Sequence, residues 1–451
     1  MTAPRLSFPI SLLALREAIL GQARMGDAVN ERALVRKLAW RTLPLILLSY
    51  FVAVIDRGNI SFAAATMNAD LGFSETVYGF GASAFFLGYS LLEVPSNLLL
   101  ARFGARVWLA RIMLTWGIIS ILTAFVHTPW QFYAMRFALG VAEAGFYPGA
   151  ILYLSSWFPG EHRAWAISRF YVSLPLSYVV MGSIAAPLLG MNGLAGLHGW
   201  QWLLIVEGMP SVLLALVLIA ALPDRPGTAR WLNETERDWL ESKLATEAAL
   251  AGPPSHNVLR AITNPFVVML GMANALNYVA INAIAFSAPK LLAAGTGLDV
   301  AHVGQVVSTA GLAIALGLLV VSQLAGTTIS RTLVTYAGFT TLAAVGLVVL
   351  WLGETPATTI GGYIVFFAAA QTAGMLPLAV VSRLIPEGDR PAGLAMANTI
   401  SQGGAFIGPL TWGVLADATG SYQLGVALLI PLSLGAAVVA QVVRLRSLQL
   451  G

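Results

Sequence analysis

Twelve apolar runs, each long enough to cross a lipid bilayer, constrain this chain more than any other feature. They fall at 42–67, 76–101, 107–126, 130–158, 164–190, 200–222, 262–292, 300–325, 331–352, 357–384, 391–416 and 421–443. A crossing needs about 20 predominantly apolar residues. Backbone amides in hydrocarbon have no water to bond, so each run must be helical. The composition agrees: 57% of the 451 residues are hydrophobic and 10% charged, against about 25% charged in a soluble domain. The expected fold is an all-α membrane protein of twelve transmembrane helices in two pseudo-symmetric six-helix bundles.

Charge placement sets the expected orientation. Of the 25 Lys and Arg residues, 22 fall in the termini and in the loops on their side. Lys290 stands alone on the opposite face, and Arg57 and Arg136 lie within spans. Positive charge accumulates on the cytoplasmic side, so both termini are expected there, in the inner membrane of a bacterium. The net charge of +4 is therefore a topology signal, and no nucleic-acid partner is expected. The partition that follows is a cytoplasmic tail over 1–38, a first bundle over 39–222, a cytoplasmic linker over 223–261, a second bundle over 262–446 and a tail over 447–451. The linker carries mixed charge, including Glu234, Glu236, Arg237 and Lys243, and reads as a short amphipathic surface helix. Near the N-terminus, Phe8–Leu20 is apolar but too short to span and carries Arg16; it reads as an upstream extension without function.

There is no cysteine, which excludes disulfides, thiolate chemistry and iron–sulfur sites. The five histidines (His127, His162, His198, His256 and His302) are scattered over loops. No metal, cofactor or enzymatic activity is expected. Lipid is the solvent of the fold, and a monomer is the expected state.

The two halves share a pattern. Gly145-Phe146-Tyr147-Pro148 in the fourth span is followed by Pro159 and Arg163; Gly374-Met375-Leu376-Pro377 in the tenth is followed by Pro386 and Arg390. The equal place and spacing point to an internal duplication.

Ionisable groups inside a bilayer are expensive and tend to be functional. Asp56 and Arg57 follow Arg41 by about 22 Å of helix, past the midplane. Arg136 and Glu143 are seven residues apart on the fourth span, hence on one face and ~10 Å apart. If the first and fourth helices are neighbours, two guanidiniums and two carboxylates converge in one cavity. A guanidinium offers a planar fork of donors to a carboxylate; an acid that neutralises it when empty and releases it when protonated gives a physical route to proton–anion symport. The plainer reading is a set of static buried ion pairs; for Glu93 and Glu207 a structural role is expected. Asn274, Asn277, Tyr278 and Asn282 form a polar stripe on the seventh span. Asn398, Ser401 and Gln402 form another on the eleventh, with Gln371 and Tyr89 mid-span. They either bond helix to helix or line a hydrophilic cavity.

Several of these residues resemble a known family. Asp56-Arg57-Gly58-Asn59-Ile60 looks like the signature of the anion:cation symporters, a branch of the major facilitator superfamily. So do Phe85-Phe86-Leu87-Gly88-Tyr89, Glu93-Val94-Pro95-Ser96-Asn97, the run from Arg136 through Glu143 to Gly149, Trp157-Phe158-Pro159 with Arg163, and Gly403-Gly404-Ala405-Phe406-Ile407-Gly408-Pro409. The branch includes permeases for tartrate, phthalate, hydroxyphenylacetate and sugar acids. The resemblance implies the major facilitator fold and proton-driven import of a small organic anion, with sodium the less favoured coupling ion. It implies that Arg57 and Arg136 face the substrate carboxylate, that Tyr89 is a substrate-site tyrosine, and that Asp56 and Glu143 handle coupling protons. Asn274, Tyr278, Asn398 and Gln402 are the expected remaining substrate contacts. The superfamily's cytoplasmic gating loop is represented by Arg102, Gly104 and Arg106, but Ala101 stands where an acid is usual, and the matching loop of the second half has shrunk to 326–331. The alternatives are an exporter or antiporter of organic anions or drugs on the same fold, and a membrane sensor that binds without translocating.

Overall fold

The computed structural model describes residues 29–251, 258–386 and 389–449; the Phe8–Leu20 segment lies outside them. The first half contains α1 (Glu31–Leu71), α2 (Glu75–Phe103), α3 (Ala105–Thr123), α4 (Pro129–Glu143), α5 (Phe146–Ser155), α6 (Gly160–Phe170), α7 (Ser173–Leu189) and α8 (Gly199–Ala221). Two helices, α9 (Glu234–Ala251) and α10 (Val258–Ile262), belong to the connection. The second half contains α11 (Pro265–Thr296), α12 (Val300–Leu324), α13 (Ile329–Leu352), α14 (Pro356–Ala373), α15 (Leu376–Leu384), α16 (Arg390–Thr419) and α17 (Gln423–Gln449). With α4/α5, α6/α7 and α14/α15 each forming one crossing, eleven segments are long and apolar enough to span. The twelfth crossing is the 30-residue α16; Asn398, Ser401, Gln402 and its glycines lower its hydropathy.

Helix ends follow local chemistry. Asn30 caps α1, accepting from Ala33 N at 3.1 Å, so α1 begins eight residues before the 39 expected for the bundle; Leu34 and Leu38 in that first stretch are buried. Thr128 and Gln131 form a reciprocal capping box before α4, and Thr355 with Thr358 repeats it before α14. The duplicated Gly-x-x-Pro motif corresponds to a helix break in both halves, between α4 and α5 and between α14 and α15. In the first half, Gly145 takes φ +85°, and a Cβ there would stand 2.4 Å from Ser96 Oγ. Only glycine meets both demands.

The linker helix α9 is fastened to the first half. Lys37 binds Glu236 (2.6 Å), Lys243 bridges Glu31 (2.9 Å) and Glu161 (2.5 Å), and Glu247 accepts from Gly160 N (3.0 Å) and Arg163 (3.3 Å). Glu31, Glu161 and His162 bring three ligand atoms within 4.8 Å of one another, but Lys243 already occupies the space between the carboxylates. Arg102, Gly104 and Arg106, expected to form a gating loop, contact the first half and the start of the linker. Arg106 N donates to Asp224 at 2.8 Å and Arg106 Nε to Ile219 O at 2.5 Å; a Cβ on Gly104 would meet Asp224 at 2.7 Å, and Arg102 lies over Phe103.

The halves meet along two main seams, α7 against α12 and α2 against α16, with α1 also packed against α11. Away from the termini these seams are closed backbone on backbone. A Cβ on Gly304 would stand 2.0 Å from Gly182 O, and one on Gly79 2.3 Å from Pro409 O. Polar bonds reinforce the closure. Lys290 pairs with Glu75 at 2.5 Å, Asp417 accepts from Glu75 N and Thr76 N (3.0 and 2.7 Å), Tyr78 donates to Phe286 O (2.7 Å) and Ser83 to Phe406 O (2.6 Å). Lys290, the isolated cation of the opposite face, is thus half of a contact between the two bundles.

Candidate functional site

Between the halves lies a cavity of about 600 Å³, within the range usual for small-molecule sites. Its walls include Ile151 and Ile167 from the first half and Leu376, Ser382 and Leu394 from the second. These residues lie toward the side where α1 begins and α17 ends, so the cavity leads to that face. The other end is roofed by Phe86 and Phe286, whose rings meet edge-on at 5.8 Å. Behind that roof are the Lys290–Glu75 pair and the glycine seams.

One of the two intramembrane arginines lines this space. Arg57, 28% exposed at its side chain, projects from α1 into the cavity and forms an ion pair with Glu143, whose side chain is 4% exposed. The α4 helix ends at Glu143, directly before the break at Gly145. The guanidinium lies 5.2 Å from the Phe85 ring and 5.5 Å from that of Tyr89, in the range of cation–π attraction. A carboxylate entering from the cavity would therefore compete with Glu143 for a charge-assisted fork.

Arg136 takes a different place. It is 1% exposed, does not line the cavity, and lies 5.2 Å from Phe85 and 5.9 Å from Phe286. Phe85 thus separates the two guanidiniums. Arg136 Nε and Nη2 have no hydrogen-bond partner. Asp56, adjacent in sequence to Arg57 and turned about 100° from it around the helix, faces α3 instead of the cavity. Its Oδ1 accepts from Ser120 (2.5 Å) and Asn59 (3.2 Å), and it is 2% exposed. The expected group of four charges is thus divided into Arg57 at the cavity wall, paired with a buried Glu143, and a sealed layer containing Arg136 and Asp56.

The polar stripes divide in the same way. Tyr278 and Asn282 of α11 line the cavity, as do Asn398 and Gln402 of α16 and Gln371 of α14. Asn274 instead donates to Ser401 (3.1 Å), and Asn277 to Ala370 O (3.1 Å), both as buried helix-to-helix bonds. Asn398 also reaches across to the first half and donates to both oxygens of Glu93, at 2.8 and 2.9 Å. Gln371 makes a second bridge, to the Tyr178 hydroxyl at 2.9 Å.

Sequence reasoning singled out Tyr89 and Tyr278 but missed four further cavity tyrosines. Six of the twelve line this cavity: Tyr50, Tyr89, Tyr147, Tyr171, Tyr178 and Tyr278. Tyr147 and Tyr171 are hydrogen-bonded to each other. An available signal was the position of four of them within spans away from the ends, which interfacial belts do not explain. Together with four carboxamides they make a wall rich in neutral donors and acceptors around a single exposed cation.

The chain matches the family model described as Major Facilitator Superfamily over residues 46–378. It is 41% identical over 396 residues to a protein of Agrobacterium vitis named "Putative tartrate transporter", covering 88% of this chain and 91% of that one. It is 34% identical over 406 residues to the quinolone resistance transporter of Acinetobacter baumannii, with the same two coverages, 88% and 91%. Among solved structures, a bacterial homologue of the human lysosomal transporter Spinster, in an inward-facing and occupied conformation, superposes with a TM-score of 0.69 at 15% identity. That match covers 90% of this chain and 96% of the other. A cavity held between two six-span halves, closed at one end by paired helix seams, accords with all of these, and the chain belongs to the Major Facilitator Superfamily of membrane transporters.

Proposed function

We propose that this transporter moves a small hydroxylated carboxylate, such as tartrate, in symport with a proton. The observation that carries the reading is Arg57 at the cavity wall, ion-paired to a buried Glu143 behind it. With Glu143 ionised the pair is neutral. Protonation of Glu143 frees the Arg57 fork, and an incoming carboxylate restores neutrality. Substrate and proton thus bind together because either one alone leaves an uncompensated charge in a low-dielectric site. The six tyrosine hydroxyls and the amides of Asn282, Gln371, Asn398 and Gln402 suit the hydroxyl groups of such an acid. The relative named for tartrate supports the same class.

The terminal face is the cytoplasmic one by its excess of Lys and Arg, which makes the conformation described here inward-facing. Return to the outward state requires the Phe86–Phe286 roof and the Lys290–Glu75 contact to part while the terminal side closes. The Asn398–Glu93 and Gln371–Tyr178 bridges already join the halves across the cavity.

A second reading, export of an organic anion or drug, is favoured by the quinolone resistance relative. Uptake of labelled hydroxycarboxylates into proteoliposomes, with an imposed inward proton gradient and with the gradient collapsed, separates the two. Accumulation that depends on the gradient is expected. Substrate that enters only against an outward proton gradient, by exchange, would favour the exporter.

A further inference from the structure

The strongest unexplained feature lies behind the cavity, where α1, α3 and α8 pack together. Glu207 of α8 is 4% exposed, and neither of its carboxyl oxygens has a hydrogen-bond partner. Asp56 and Asn59 of α1 are its polar neighbours; the Asn59 amide approaches the carboxyl but does not reach full hydrogen-bond geometry with either oxygen. One turn along, Ser211 Oγ is also buried and unpartnered. The surrounding helices leave little slack. A Cβ on Gly117 of α3 would stand 2.9 Å from Ser211 Cβ, and one on Gly208 3.2 Å from Ser120 Cβ. None of these residues lines the cavity.

An ionised carboxylate with no donor in such a place is among the costliest arrangements a protein can hold, and such a group neutralises instead. Charge counting gives the same answer. Arg57 and Glu143 cancel. That leaves Arg136 as one positive charge against two carboxyls, Asp56 and Glu207, so one proton makes the layer neutral. Asp56 already accepts two hydrogen bonds on Oδ1, which suits the ionised member. Glu207 accepts none, which suits the protonated one. From α3 the facing group is Ser120; from α4, Arg136 and Glu143 act on Asp56 at longer range; α7, also packed on α8, contributes no carboxylate or cation.

We infer that Glu207 and Asp56 form a two-carboxyl site that holds one exchangeable proton outside the substrate cavity. The proton resides on Glu207 and passes to Asp56 when its surroundings change. In that transfer the Oε–H bond breaks and an Oδ–H bond forms, and the net charge of the pair stays at minus one. This deepens the symport reading, because it places a store of coupling protons beside a residue that the resemblance assigns to coupling.

The test is infrared spectroscopy of the full chain in lipid at neutral pH, without substrate. The expected spectrum contains a carbonyl band of a protonated carboxylic acid that shifts in heavy water, is lost in Glu207→Gln and moves in Asp56→Asn. Glu207→Asp, which keeps an acid, should retain a displaced band and controls for misfolding. In transport, Glu207→Gln is expected to keep substrate exchange while losing at least ~10-fold of gradient-driven accumulation, about 1.4 kcal/mol of coupling. A protonated-acid band unchanged by Glu207→Gln would overturn the inference. So would a band that titrates away with sodium, since the site would then bind a metal cation. Because the spectrum needs no substrate, a wild-type protein that shows the band but no proton-driven uptake would leave this site standing and sink the symport reading alone.

Discussion

Arg57→Ala is expected to abolish carboxylate uptake, with at least ~100-fold loss in apparent affinity. Hydrogen bonds to charged groups contribute about 1.5–3 kcal/mol each, and a guanidinium fork makes two of them to a carboxylate. Tenfold corresponds to about 1.4 kcal/mol, so losing the fork costs about two decades or more. The same change leaves Glu143 buried without its partner and uncouples it from substrate. Arg57→Lys separates charge from geometry. It keeps the positive charge but not the planar fork, so a loss of roughly 10-fold is expected from one missing bond. Direct binding, measured by calorimetry on the purified protein, checks both. Equal affinities for wild type and Arg57→Ala would remove the arginine from the substrate site. Arg136→Ala provides the contrast: this side chain is sealed beneath Phe85, so its loss should appear first as reduced thermal stability.

Gly304→Ala is the second change with a large expected effect, and it acts on the closure of the seam away from the termini. The added methyl would stand 2.0 Å from Gly182 O, and backbone on both sides of the contact cannot rotate away. Overpacking of this kind costs about 1–3 kcal/mol, a shift of roughly 5- to 150-fold against the conformation closed on that side. Because the chain has no cysteine, one introduced at Ala285 on the cavity wall is a unique reporter. Labelling of Ala285→Cys by an impermeant thiol reagent from the side opposite the termini should rise sharply in the Gly304→Ala background, while transport falls. Unchanged labelling would mean that this close approach does not limit closure.

Much of the fold was legible in the sequence because membranes narrow the choices. The hydrocarbon thickness fixes the length of a span and forces it to be helical, so twelve apolar runs were legible, and eleven of them correspond to helices apolar enough throughout to span. The duplicated Gly-x-x-Pro motif was legible as a repeat; that it marks helix breaks at the ends of α4 and α14 was not. Residues at the site were legible as an inventory: Asp56, Arg57, Arg136 and Glu143 stand out by being charged in an apolar run. Their division between cavity and sealed layer was not. Sequence spacing gives the angle between neighbours on one helix, but the rotation of that helix is set by its packing partners. For α1 these include α7, α8 and α11. For the same reason the polar stripe of α11 appeared as one surface, although Tyr278 and Asn282 face the cavity while Asn274 and Asn277 face neighbouring helices. Glu207 read as a structural acid because nothing in its local sequence reveals that both its oxygens lack donors. The early start of α1 was hidden by Arg32, Arg36 and Lys37, which lower hydropathy without weakening the helix.

The proton step at Glu143 is the centre of the account, and substrate-driven proton movement tests it most directly. Proteoliposomes loaded with a pH-sensitive dye are given a hydroxycarboxylate gradient with no imposed proton gradient. Wild-type protein is expected to acidify the lumen as substrate enters. Glu143→Gln, which mimics the protonated acid permanently, is expected to carry substrate down its gradient with no acidification. Entry of substrate through the wild-type protein with no change in lumenal pH would contradict the account.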